Sequence, residues 1–255
     1  MTFAELKTIF TSRESFLISS HVNPDGACIG SQLALYWYLR SLGKDVYVYN
    51  VDPVPQKLSF LDDTPAIGRR RPRDPVDVLV VLDCSNPDRL GWEGWRESAS
   101  LVLNIDHHRD NVRFGDENIV NADAAATAHI LYRFFSACDV DFPAAVARSL
   151  YAAILTDTGA FKFSNTTSDI LRMCADLVDR GADCSFIAKQ VYSSFSPAGL
   201  TLRSRIWSTL QFHCEERVCT MHMPYSLIDE LGANYDDSEG MAEYTTSAEG
   251  VEVGI

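Results

Sequence analysis

Two apolar runs that each end on polar, ligand-type residues constrain this chain most: VDVLVVLDCS over 76–85 and LVLNIDHH over 101–108. A near-continuous apolar run is the signature of a strand buried on both faces. Such strands alternating with helical segments predict a parallel sheet covered by helices. FLISS (16–20), which runs into His21, and DVYVYN (45–50) add two more strands. Gly30 to Leu42 predicts a helix with Leu33, Leu35, Trp37, Leu39 and Leu42 on its apolar face, stopped by Gly43. From Asp123 the pattern turns helical, with helices expected over about 124–137, 143–156, 167–181, 184–193 and 198–213. Pro143 suits a helix start and Gly181 a helix end. The expected class is α/β, a parallel sheet with helices on both faces, followed by an incomplete smaller C-terminal α/β domain.

The stretch SSFSPAG (193–199) is the expected boundary, dividing the chain into residues 1–195 and 196–255. Beyond it RVCTMHM (217–223) predicts a strand, PYSLIDELG (224–232) a short helix, and VEVGI (251–255) a final strand. With 255 residues and 46% of them apolar, the chain can bury a sizeable core. A net charge of −13 excludes a protein that coats nucleic acid through its overall field, and 11% aromatic residues argue against disorder. No run of eighteen apolar residues predicts a membrane span, and MTFAELKTIF lacks the pattern of a secretion signal. Seven cysteines, an odd number with no CxxC, suggest neither a disulfide framework nor a zinc knuckle. A reducing cytoplasm is the expected compartment.

The chemistry concentrates at four points: His21 and Asp25 in HVNPD, Asp83, the triplet Asp106-His107-His108, and Asp157 in LTDTG. In an open α/β sheet the strand C-termini share one edge, where ligands bind. Carboxylates and imidazoles gathered there suit divalent cations, and a carboxylate-rich mixture leans towards Mn2+. Ionised acids collected without a cation would repel one another. Two ions sharing a bridging carboxylate can acidify a water and neutralise phosphoryl oxygens, which predicts phosphate-ester hydrolysis. Cys28 and Cys84 flank these groups but read as small packing residues. His129, His213 and His222 read as core or surface residues. The basic run Arg69, Arg70, Arg71 and Arg73 reads as a solvated loop, the alternative being a loop that steers an anionic substrate.

The order HxNPD…GS, LDCS, DHH and TDTG resembles the DHH phosphoesterase superfamily, over about 190 residues from His21. HVNPDG, DHHRDN and TDTGAFKFSNT are most similar to the nanoRNase branch, which hydrolyses short RNA oligonucleotides and 3′-phosphoadenosine 5′-phosphate. The resemblance implies two Mn2+ ions. His21, Asp25 and Asp83 would hold the first, and Asp83, His107 and Asp157 the second. It implies His108 against the scissile phosphate, Asp106 orienting an imidazole, and Asn111 and Lys162 near the substrate. Homodimers are common in that group. Two departures stand out. The usual start is HxxPDxD, whose second aspartate ligates the second ion; here that position is Ala27. The second site then has three protein ligands, and weak occupancy and reduced turnover are expected, whether Ala27 is natural or introduced. The Gly-Gly-Gly-His run of the family's substrate-binding domain is also missing. The other readings are a linear or cyclic dinucleotide phosphodiesterase with the same core, a family II-like pyrophosphatase, and a non-catalytic nucleotide-binding module.

Overall fold

A computed structural model describes residues 1–68 and 70–255. The chain falls into two compact units, Met1–Tyr192 and Ser193–Ile255. In chain order the first unit contains α1 (Phe3–Ser12), β1 (Ser15–Ser19), α2 (Gly26–Ser41), β2 (Asp45–Tyr49), β3 (Ile67–Gly68), β4 (Val76–Leu82), β5 (Ala99–Asp106), β6 (Glu117–Val120), α3 (Thr127–Ala137), α4 (Ala144–Asp157), α5 (Ser168–Asp179) and α6 (Cys184–Tyr192). The strands form one sheet in the order β3-β2-β1-β4-β5-β6, and every neighbouring pair is parallel.

Alternation along each strand divides the core. Phe16, Ile18, Val78, Val80, Leu82, Leu103 and Ile105 pack into one large cluster with the buried sides of the α-helices. Leu17, Leu79, Val81 and Val102 point the other way and pack with Leu90, Trp92, Trp95 and Phe114. That second face is covered by short 3-10 turns, Pro87–Leu90 and Arg96–Ser98, and the connections around them. Helices therefore lie on both faces, but they are α on one and 3-10 on the other.

The helix expected from Gly30 begins four residues earlier. Asp25 caps it, its Oδ1 accepting the Cys28 amide at 3.0 Å. Leu33, Leu35 and Leu39 are buried as expected, Trp37 only partly, and Leu42 lies past the helix end at 38% exposure. α1, which no periodicity marked, is held by a Thr2–Glu5 capping box. It contributes Phe10 to an edge-to-face group with Phe16, Tyr38 and Phe134. Each fully buried side chain of this size contributes about 1.5–3 kcal/mol.

In the second unit α7 (Pro197–Trp207) ends six residues before the end of the helix expected over 198–213. Gln211–His213 is instead β7, antiparallel to β8 (Val218–Thr220), and β9 (Val253–Gly254) joins β8 in parallel. The chain turns through Cys214, Glu215 and Glu216, all with positive φ. Residues 208–213 carry no capping signal, and the partner that recruits them lies after the turn, so their own pattern could not show the strand. α8 (Ser226–Leu231) ends at Gly232, φ +61°. The unit's buried core is small: Leu202, Ile206, Ile228 and Met241. Among the described residues no helix is long and apolar enough to cross a membrane.

Candidate metal centre

β1, β4 and β5 are adjacent and parallel, so their C-terminal ends deliver His21, Asp83 and His107-His108 to one edge. Asp25 caps the helix that follows β1, and Asp157 is the last residue of α4. A close helix approach brings these last two into reach. A Cβ on Gly26 would stand 2.5 Å from Thr156 Cγ2, so the start of α2 meets the end of α4 only because residue 26 has no side chain. Asp83 itself sits in the left-handed region, φ +57°. That conformation costs an aspartate about 1 kcal/mol or more and is held by its surroundings.

Asp83 is the hub. Ligand atoms of His21, Asp25, Cys28 and Asp83 lie within 4.8 Å of one another, and so do those of Asp83, His107 and His108. His107 Nε2 is 3.5 Å from Asp83 Oδ1 and 3.2 Å from Asp157 Oδ2. The ring nitrogens are already allocated. Nδ1 of His21 faces the Val22 carbonyl at 2.7 Å and Nδ1 of His107 the Ala124 carbonyl at 3.3 Å. A carbonyl only accepts, so each Nδ1 carries the proton and each Nε2 offers its lone pair. His129 has the opposite arrangement: Nδ1 accepts the Ala125 amide at 3.4 Å and Nε2 faces Asp169 at 3.2 Å. Neither of its nitrogens is left for the cluster.

The electrostatics fit a cation. Burial first, and then the neighbouring Asp25, push the Asp83 carboxyl above the usual carboxylate range. Asp157 is pushed well above it, by burial and then by Asp83 and Asp25. Asp157 Oδ2 is buried with no hydrogen-bond partner: His107 Nε2 is near, but with the ring proton on Nδ1 it has none to donate. A buried carboxylate oxygen left in that state is costly unless something positive is placed beside it. The donor set of imidazoles, carboxylates and one thiol suits a divalent transition ion.

Behind the cluster lies a second tier. Asp106 Oδ1 holds His108 Nδ1 at 2.7 Å, and Asn111 Nδ2 donates to Asp106 Oδ2 at 2.6 Å and to Asn104 Oδ1 at 2.8 Å. Burial raises the Asp106 carboxyl, but the bonds from His108 and Asn111 outweigh it and leave it below its ordinary range. The bond to Asp106 raises the His108 imidazole in turn. The structure spends the Asn111 amide on bracing Asp106, while Lys162 is exposed in the turn after α4, its amide donating to the Gly159 carbonyl. Sequence reasoning missed Thr127, whose Oγ1 donates to Asp83 Oδ1 at 2.7 Å, and Asn104, fully buried beneath the triplet. A polar residue inside the apolar run LVLNID was the available signal for Asn104. Arg69 lies outside the described residues. Arg70, Arg71 and Arg73 line a groove of about 560 Å³ with Leu17 and Pro75, and Arg71 stacks 4.4 Å over Trp92.

The sequence profile described as the DHH family, N-terminal domain, matches residues 15–154. The chain is 34% identical over 235 residues to the bifunctional oligoribonuclease and PAP phosphatase NrnA of Thermus thermophilus, covering 89% of this chain and 68% of that protein. It is 27% identical over 165 residues to a probable manganese-dependent inorganic pyrophosphatase of Lactobacillus delbrueckii, covering 62% and 51%. The chain thus spans between about half and two thirds of the length of these relatives. Its fold is similar to the crystal structure of an exopolyphosphatase-related protein from Bacteroides fragilis, with a TM-score of 0.88 at 23% identity, covering 98% of this chain and 77% of that one. The profile match over more than half of the residues, together with the convergence at one sheet edge, shows that the chain belongs to the DHH family of phosphoesterases.

Proposed function

We propose that the protein is a metal-dependent phosphoesterase that hydrolyses short RNA oligonucleotides and 3′-phosphoadenosine 5′-phosphate. The observation that carries this reading is the buried, unpartnered Asp157 oxygen 3.2 Å from His107 Nε2, its carboxyl raised by burial and by the nearby Asp83 charge, an arrangement that makes sense around a cation. The name of the Thermus relative supports the substrate class. The oxygen-rich pocket suits Mn2+, the ion in the name of the related pyrophosphatase.

His21, Asp25 and Asp83 would hold one ion, and Asp83, His107 and Asp157 the other. Divalent ions bound there supply an acidified water and neutralise phosphoryl oxygens. The chain's own residues do the rest. Asp106 fixes the His108 proton on Nδ1 and raises the basicity of the ring. A protonated His108 would then offer Nε2–H to a phosphate oxygen and stabilise its charge. Asn111 would act through Asp106, and Lys162 would contact a substrate phosphate. Ala27 leaves the second position one carboxylate short, which lowers its occupancy and the turnover. The first unit carries the metal chemistry, the second binds the substrate, and the active form is a homodimer. A net charge of −13 fits short substrates gripped by metal better than long polymers held by a basic groove.

The test is hydrolysis of a labelled trinucleotide and of 3′-phosphoadenosine 5′-phosphate with added Mn2+, compared with Asp83→Asn. Release of mononucleotide or phosphate that disappears in the variant is expected. Equal release by both proteins, or none by either under saturating Mn2+, contradicts the proposal.

A further inference from the structure

The first half of the pocket contains a group that the reading above leaves unused. Cys28 stands in the first turn of α2, fully buried. Its Sγ belongs to the same cluster of ligand atoms as His21, Asp25 and Asp83. Sγ lies 3.5 Å from Asp83 Oδ2. An ion with tetrahedral bonds of about 2.3 Å to sulfur and about 2.0 Å to carboxylate oxygen sets those two atoms roughly 3.5 Å apart. The sulfur is also held in place. Asp25 accepts the Cys28 amide at 3.0 Å, and Ser20 Oγ, anchored by its bond to the Leu82 carbonyl at 2.7 Å, sits 2.9 Å from Sγ. Cys84, the other thiol at this edge, differs: its Sγ faces the Asn86 carbonyl at 3.1 Å and belongs to neither ligand cluster. The residue next to Cys28 is Ala27, where the family start has a carboxylate. One step of α2 therefore lacks an oxygen ligand for the second position, and the next places sulfur at the first.

We propose that Cys28 is a metal ligand, completing with His21, Asp25 and Asp83 a nitrogen, sulfur and oxygen site for a thiophilic divalent ion of the zinc class. A soft thiolate selects such an ion over Mn2+, which leaves Mn2+ to the imidazole and carboxylate position around His107 and Asp157. Binding exchanges the thiol proton for the ion and involves no redox step. The inference rests on the two-ion reading of the pocket and changes the identity of one ion.

Titration of the full chain with Co2+, followed by absorption spectroscopy, tests it. The expected result is a sulfur-to-cobalt charge-transfer band in the near ultraviolet alongside the visible ligand-field bands. The charge-transfer band disappears in Cys28→Ser and persists in Cys84→Ser. The zinc affinity of Cys28→Ser falls by at least the 10- to 100-fold (about) typical of disturbing even an outer-shell partner. Ligand-field bands without charge transfer, or charge transfer that survives Cys28→Ser, overturn the assignment of Cys28 and leave the metal centre standing. No cobalt binding at all overturns both. X-ray absorption of the unaltered, zinc-loaded protein needs no variant: one sulfur at about 2.3 Å supports the proposal, and a shell of nitrogen and oxygen alone contradicts it.

Discussion

The two halves of the pocket are built in different ways. The first half is nearly local: His21, Asp25 and Cys28 lie within eight residues of one another, across one turn and the start of α2. That turn is clamped from outside. The Val22 amide donates to the Arg89 carbonyl at 2.7 Å, and Gly91 sits so close to Val22 that a Cβ there would collide with it. The second half is collected from the end of β5 and the end of α4, fifty residues apart, and meets only through tertiary packing. Only Asp83 belongs to both. The local half needs the Arg89–Gly91 clamp and Asp83 to complete it, whereas the collected half depends on the sheet, on the α2–α4 contact and on the ion itself.

Asp83→Asn strikes both halves and carries the largest expected effect. Both ions are lost in calorimetry, and the hydrolytic rate drops by about 10³-fold or more. Asp157→Asn separates the halves: one ion remains, and the rate falls by roughly 10²-fold. The same variant removes a buried charge with no partner, so the metal-free protein becomes more stable. Thermal unfolding in chelator checks that, and a lower midpoint than the unaltered chain would count against the electrostatic account. Asn111→Ala acts through Asp106 on His108, and a loss of about 10- to 100-fold in kcat with metal stoichiometry unchanged is expected. If metal content falls instead, Asn111 braces the ligands rather than the acid. Ala27→Asp has the smallest effect. It returns a carboxylate to the collected half and should tighten its Mn2+ binding about 10-fold, again by calorimetry. Unchanged affinity refutes the role given to Ala27.

The same contrast explains what could be read from the residues alone. β4 and β5 were visible because strands buried on both faces are nearly continuous in apolar residues, and their terminal Asp83 and Asp106-His107-His108 stand out against that background. The local half was visible as a spaced motif. The closeness of Cys28 to Asp83 was not, because a thiol in an apolar helix reads as packing until that distance is known. Thr127 was hidden for a similar reason: its hydroxyl serves Asp83 from 44 residues away. β6, an edge strand of four half-buried or exposed residues, carries no strong apolar pattern. β7 is set by its partner across a turn rather than by its own sequence.

Crystals soaked in Mn2+ and measured at the manganese and zinc absorption edges test the central claim most directly. Two anomalous peaks are predicted on either side of Asp83, about 3.5–4 Å apart, one among His21, Asp25 and Asp83 and the other among Asp83, His107 and Asp157. No peak beside Asp83, or peaks confined to other acidic residues, would contradict the account.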